Sequence, residues 1–197
     1  MRNLLPADPV RRGRVKLLAL AAFFAVPVLA GYVVYFFDLA PGSTGNYGTL
    51  LAARPLADTP LEPMESGEPF RFSQLRGKWL LVQFDSGACA TYCERKLYFM
   101  RQVRKALGKD MSRVERVWLV TDRQAPAPRL LEAIEGTHLA RTAGRAVAAE
   151  FPADRAAADH VYLVDPHGNL MMRFPRDPDP SRMLKDLQRL MKVSGIG

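Results

Sequence analysis

Cysteine and histidine are scarce in this sequence, with two and three residues respectively in a chain of 197. Two cysteines cannot staple a disulfide miniprotein, and no Cys-x-x-Cys repeat offers a structural zinc site. A phosphate-cradling glycine loop, a Ser-His-Asp order and a paired-carboxylate signature are missing too, which takes away the motif basis for the common nucleotide-binding and hydrolytic classes. There is no internal repeat or low-complexity tract. With 48% hydrophobic and 24% charged residues, collagen and wholesale disorder are excluded.

The formal charge of +8 invites a nucleic-acid reading until it is located. Arg2, Arg11, Arg12, Arg14 and Lys16 stand against Asp8 alone, so half of the excess lies in residues 1–16. No aromatic interleaving or nucleic-acid motif accompanies the rest. The basic segment is followed by Leu17–Phe37, which contains no charged residue. As a helix at about 1.5 Å per residue this run is about 31 Å long, enough to cross a hydrocarbon core of about 30 Å. Pro27 is tolerated in membrane helices, and Tyr32, Tyr35, Phe36 and Phe37 crowd the far end as an aromatic belt does. Val28-Leu29-Ala30 loosely resembles a signal-peptide cleavage site, but the apolar run exceeds a signal core of about 7–15 residues and continues past it. The run therefore reads as an uncleaved anchor. The preceding positive charge places the N-terminus in the cytoplasm and the remainder outside it.

Residues 38–69, with Pro41-Gly42-Ser43 and then Pro55, Pro60, Pro63 and Pro69, read as a linker. The expected organisation is thus a basic tail at 1–16, a transmembrane helix at 17–37, a linker at 38–69 and one domain at 70–197. Within that domain, Trp79–Phe84 is a short apolar run suited to a buried strand. A helix is expected from Thr91 to Leu107, ended by Gly108. Val114–Val120 is a second strand, and a helix over about 129–135 follows Pro126 and Pro128. Residues 140–158 are Ala-rich and carry no decisive period. Val161–Asp165 and Asn169–Phe174 flank Pro166-His167-Gly168 as a hairpin, and a last helix has Ser181 as its expected N-cap. The order β-α-β-α-β-β-α, with a parallel pair joined to an antiparallel hairpin, is an α/β, thioredoxin-like arrangement.

Both cysteines fall between the first strand and the first helix of this domain, as Cys89-Ala90-Thr91-Tyr92-Cys93. A helix N-terminus carries about half a positive charge and favours thiolate, the form that attacks disulfides and binds soft metals. Four residues apart, the two sulfurs can close a disulfide or clasp one Cu(I). A static structural bridge is the plainer alternative. His160 opens a strand that would run beside the cysteine loop, where two thiolates and an imidazole would suit copper; equally, it can be a strand-edge histidine bonded locally. His167 reads as solvated in its turn, and His138 as a partner for a helix C-terminus. Met171 and Met172 point to opposite faces of a strand and so do not share an ion. Arg95, Lys96, Arg101, Arg104 and Lys105 read as the solvated outer side of the first helix.

Gly77-Lys78-Trp79-Leu80-Leu81-Val82-Gln83-Phe84 followed by Cys89-x-x-x-Cys93 resembles the SCO/SenC family of cytochrome c oxidase assembly proteins. Val120-Thr121-Asp122, and Asp159-His160 ahead of Tyr162-Leu163-Val164-Asp165-Pro166-x-Gly168, extend the likeness over about residues 70–192. The resemblance implies a membrane-anchored, thioredoxin-like domain outside the cytoplasm, with copper held by Cys89, Cys93 and His160. It further implies a copper-bearing oxidase subunit as partner, besides the lipid around the anchor. Three departures stand out. Ala90 replaces the family's proline after the first cysteine, Arg123-Gln124-Ala125 replaces its Pro-x-x-Asp continuation after Asp122, and the histidine lies about three residues closer to its strand. The same thiols would serve a thiol–disulfide oxidoreductase, and a non-catalytic scaffold with a fixed bridge is the third possibility.

Overall fold

The computed structural model describes residues 9–36, 45–64, 68–142 and 145–196. The chain divides into two compact units, Met1–Gly45 and Asn46–Gly197. In the first unit, α1 runs Pro9–Phe36 with Pro27 inside it. The helix thus begins ahead of the expected boundary at residue 17 and takes in Arg12, Arg14 and Lys16, which long side chains and good helix propensity allow. Its Arg12–Val34 stretch is long and apolar enough to cross a membrane. Residues 1–8 of the expected tail, Phe37 of the expected span and residues 38–44 and 65–67 of the expected linker lie outside the described residues.

The second unit is built on a mixed sheet. Its strands are β1 (Thr49–Pro55), β2 (Glu62–Pro63), β3 (Trp79–Asp85), β4 (Val114–Val120), β5 (Thr137–Arg141), β6 (Val161–Val164) and β7 (Asn169–Arg173). Their order is β1-β7-β6-β3-β4-β5-β2. β3, β4 and β5 are parallel neighbours, while β6 and β7 continue antiparallel on the other side of β3. The expected hairpin is therefore present, with Gly168 supplying the positive φ of +89° in its turn.

The stretch expected to be a linker is instead part of the sheet, and it reaches both edges. β1 pairs with β7 at one edge and β2 with β5 at the other. Proline is admissible at these positions because an edge strand has a free hydrogen-bonding side. β5 was also not expected.

Among the described residues four α-helices accompany the sheet: α2 (Thr91–Ala106), α3 (Pro128–Ala133), α4 (Arg145–Ala149) and α5 (Pro180–Val193). The two-residue period of β3 divides the core. Leu81 and Trp79 face Met100 and Val103 of α2 and Met183 and Leu187 of α5. Leu80, Val82 and Phe84 face the opposite cluster with Tyr162, Phe151 and Phe72. With both faces covered, β3 and β4 are apolar almost throughout, as buried parallel strands are. α5 is capped by Asp179, whose carboxylate accepts from the amides of Ser181 and Arg182 at 2.7 and 3.2 Å. The expected cap, Ser181, is one of the residues being capped, since Pro180 occupies the first helical position.

Candidate thiol site

β3 delivers the chain to the site and α2 receives it. Between them, residues 86–90 form a loop in which the Cys89 amide donates to the Ser86 carbonyl at 3.1 Å and Cys89 takes a positive φ of 43°. Cys93 lies in the first turn of α2. The two cysteines form a disulfide with their Cα atoms 5.1 Å apart. The bridge is almost enclosed, Cys89 being 4% and Cys93 1% exposed. Leu97, Trp118, Val120, Leu130 and Ile134 surround it. Met64 and Leu139 pack against the same cluster and also line an open cavity of about 470 Å³.

Two polar arrangements fix the ends of the loop. At its start, the Asp122 carboxylate accepts from the Ser86 hydroxyl at 2.5 Å, the Gly87 amide at 2.9 Å and the Gln124 amide at 3.1 Å. The Ser86 hydroxyl foremost, helped by those amides, holds the Asp122 carboxyl below its ordinary value. Gly87 is required here, because a Cβ would overlap the Gln124 carbonyl. Under the helix, the side chain of Gln83 is completely buried and its Nε2 donates to Cys93 Sγ at 3.6 Å.

Lys96 contradicts the expectation of a solvated basic face. It is buried, with Nζ 3.1 Å from an Asp85 carboxylate oxygen and donating to the carbonyls of Phe84 and Ala158. The Tyr92 ring covers it, 5.0 Å away. Burial lowers the Lys96 pKa, against the raising effect of Asp85. The sequence carried a signal for this: Lys96 stands at three residues from Cys93 and four before Met100, on the same stripe as the buried Leu97.

His160 is buried at the start of β6, and its Nδ1 donates to the Phe174 carbonyl at 2.8 Å. It lies within a single residue of Asp159, whose carbonyl accepts from the Tyr92 hydroxyl at 2.9 Å. Its ring is 6.0 Å from that of Tyr162, a member of the core cluster on the face away from α2, whereas the cysteines belong to a cluster on α2. A cavity of about 290 Å³ is lined by Asp154, Arg155, Asp159, His160 and Arg176. Among the described residues, no three histidine, cysteine or acidic side chains come together as a group able to hold a metal ion. The structure therefore joins Cys89 to Cys93 and does not gather His160 with them in this disulfide form.

His138 is not a helix C-terminal partner: it lies in β5, stacks on Phe70 at 6.0 Å and stands 3.7 Å from the Glu115 carboxylate. His167 is exposed in its turn, and Met172 is buried while Met171 is half-buried, as alternation requires. Gln83, Asp85 and Lys96 are the site residues that sequence reasoning missed. Gln83 had a signal, as the one polar residue within the apolar run Trp79–Phe84 that leads to the cysteines.

Residues 79–194 match the family model described as "Transmembrane-like, thioredoxin-like, C-terminal domain". Solved structures share the fold. The solution structure of apo Sco1 from Thermus thermophilus is 24% identical, with 74% of this chain and 96% of that chain covered, at a TM-score of 0.60. Yeast Sco1 with copper bound is 19% identical, with coverages of 72% and 96% and a TM-score of 0.57. The thioredoxin domain of a thiol–disulfide oxidoreductase from Bacteroides vulgatus is 17% identical, with coverages of 71% and 98% and a TM-score of 0.54. No curated protein matches the chain.

Proposed function

The chain belongs to the transmembrane-like, thioredoxin-like C-terminal domain family, and from that premise we propose that it is a Sco-like, membrane-anchored thiol factor that assists assembly of the copper centre of a cytochrome c oxidase. The observation that carries this reading is the Cys89–Cys93 disulfide at the β3–α2 junction. Opened by reduction, that junction has two sulfurs at the positive end of a helix, where thiolates are favoured. Solved Sco1 proteins share the fold, one of them with copper bound. α1 anchors the chain, with the basic N-terminus in the cytoplasm and the thiol domain outside it, on the side where it meets the oxidase subunit.

Copper is the cargo of the reduced form, since a disulfide offers no thiolate. Cys89 and Cys93 would supply soft sulfur donors. His160 would be the third donor through Nε2, since its Nδ1 is engaged with the Phe174 carbonyl. The Cys89–Cys93 disulfide favours a second reading, in which the domain exchanges thiols with oxidase or other periplasmic cysteines.

Anaerobic Cu(I) titration of the reduced full-length chain in detergent separates the two. The lead reading expects about one copper per chain, lost on Cys89→Ser or Cys93→Ser, and weaker but still present on His160→Ala. Copper uptake indifferent to both cysteines removes the copper role. Equilibration of the pair with glutathione tests the thiol chemistry common to both readings. A reduction potential below about −300 mV would mark a fixed structural bridge and leave only a scaffold. In cells, loss of the gene should remove the copper-centre absorbance of the oxidase, and the Cys93→Ser form should not restore it.

A further inference from the structure

Gln83 is the least expected side chain in the core. β3 turns Trp79, Leu81 and then Gln83 toward α2, and the amide is completely buried there. Its Nε2 donates to Cys93 Sγ at 3.6 Å, while its Oε1 is buried without a hydrogen-bond partner. An unpartnered amide oxygen is destabilising, and an apolar side chain of the same size would avoid it. A disulfide sulfur is a weak acceptor and draws little from the N–H, whereas a thiolate is a charged and far stronger one. The amide therefore acts on the reduced pair, and on Cys93 specifically.

We propose that Gln83 is the positioning residue of the thiol pair, its amide N–H holding Cys93 as a thiolate so that Cys93 is the sulfur released when the bridge is opened at Cys89. A partner protein's thiolate attacks Cys89 Sγ. A bond forms between those two sulfurs, the Cys89–Cys93 bond breaks, and its electron pair stays on Cys93 Sγ; no proton has to move. In the reverse step the Cys93 thiolate attacks Cys89 Sγ of the mixed disulfide and expels the partner's thiolate. A leaving sulfur of lower thiol pKa departs faster, which makes the amide a determinant of exchange rate. Cys93 is also the more enclosed of the two, 1% against 4% exposed. The inference rests on the thiol-exchange part of the function proposed above.

The test uses the full-length chain in detergent, with Cys89→Ser leaving Cys93 as its sole thiol and the ultraviolet thiolate absorbance followed against pH. Adding Gln83→Met, near in size and without an N–H, should raise the Cys93 thiol pKa by about one unit, a roughly tenfold loss of thiolate at neutral pH. In the mirror background, Cys93→Ser, the same substitution should leave Cys89 unmoved. An unchanged Cys93 pKa overturns the proposal, and so does an equal shift at both cysteines, which would be a general loosening. If Gln83→Met fails to fold by circular dichroism, Gln83→Leu, which also lacks a donor, should raise the Cys93 pKa in the same direction. Glutathione exchange of the unaltered chain is read separately. A pair that does not exchange defeats the functional reading, while the pKa comparison still decides the role of Gln83.

Discussion

Lys96 Nζ lies 3.1 Å from an Asp85 carboxylate oxygen, the lysine side chain 1% exposed and the aspartate 20%. The pair ties the end of β3 to the second turn of α2, on either side of the cysteine loop. Nζ also serves two backbone carbonyls, Phe84 and Ala158, so one cation joins β3, α2 and the segment that leads into β6. The ion pair is thus part of the frame that sets the distance between the thiol helix and His160.

Lys96→Met should destabilise the domain by about 3 kcal/mol, the low end for breaking a buried pair, because Asp85 retains some access to water. The urea unfolding midpoint measures it. Adding Asp85→Asn should recover part of the loss by removing the stranded charge, and a double variant no better than the single one would contradict the pairing.

Gly87→Ala should be worse than its size suggests. The added Cβ overlaps the Gln124 carbonyl, so the cysteine loop must move away from the 122–124 turn and loosen the Asp122 hydrogen bonds. A cost of about 1–3 kcal/mol is expected. Reduction of the disulfide by dithiothreitol should quicken as the loop frees. Wild-type stability and reduction rate in this variant would show that the loop is not held by that turn.

What could be read from the sequence follows the strength of local signals. β3, β4, the β6–β7 hairpin and α2 were legible because apolar runs of strand length and a three-and-four spacing lie between clear turn residues. The cysteine pair was legible for the same reason, being one short motif at a strand–helix junction. β1 and β2 were not, since Thr49–Pro55 is an edge strand exposed along most of its length with a register shift, and Glu62–Pro63 is too short to show any period. β5 sits one place from the edge and buries only Ala140 fully, so no alternation marks it. Lys96 and Gln83 each carried a positional signal that their side-chain chemistry outweighs. A lysine on a helix is usually solvated and a glutamine is usually outside, and only pairing across the fold makes either stable within.

Asp186→Asn should detach the start of the sheet from α5. The buried carboxylate accepts from the Gly48 amide at 2.8 Å and from the Tyr47 amide at 2.8 and 3.1 Å. An asparagine oxygen in the place of Oδ2 can still accept from both amides, but they lose the carboxylate charge, and the new NH₂ faces the Tyr47 N–H that Oδ1 also accepted. A loss of about 1 kcal/mol follows from exchanging a charged acceptor for a neutral one. Hydrogen exchange at Tyr47 and Gly48 should accelerate ahead of that in β1, and unaltered protection there would place the anchoring elsewhere.

Tyr162 should set an alkaline limit to stability. Its phenol is buried in the aromatic cluster with Phe84 and Phe151, and the hydroxyl donates to the Pro152 carbonyl at 3.1 Å. Burial, against a smaller opposing effect of Arg173, pushes its pKa up from 10.0 to about 12. Below pH 10 both the folded and the unfolded chain keep the phenol protonated, and its contribution is intact. Between 10 and about 12 the unfolded chain loses the proton while the folded one keeps it, so folding stability falls as pH rises through that window. A shift of that size corresponds to about 2–3 kcal/mol once the folded phenol also ionises. Tyr92, raised chiefly by burial as well, adds to the same limb, whereas Lys96, lowered by burial, opposes it by gaining stability as pH approaches its ordinary value. The difference between wild type and Tyr162→Phe isolates the one phenol: urea midpoints compared from pH 8 to 11.5 should fall less steeply above pH 10 in the variant. Parallel curves would mean that Tyr162 ionises alike in the folded and unfolded chain, and the enclosed aromatic cluster would then be open to water.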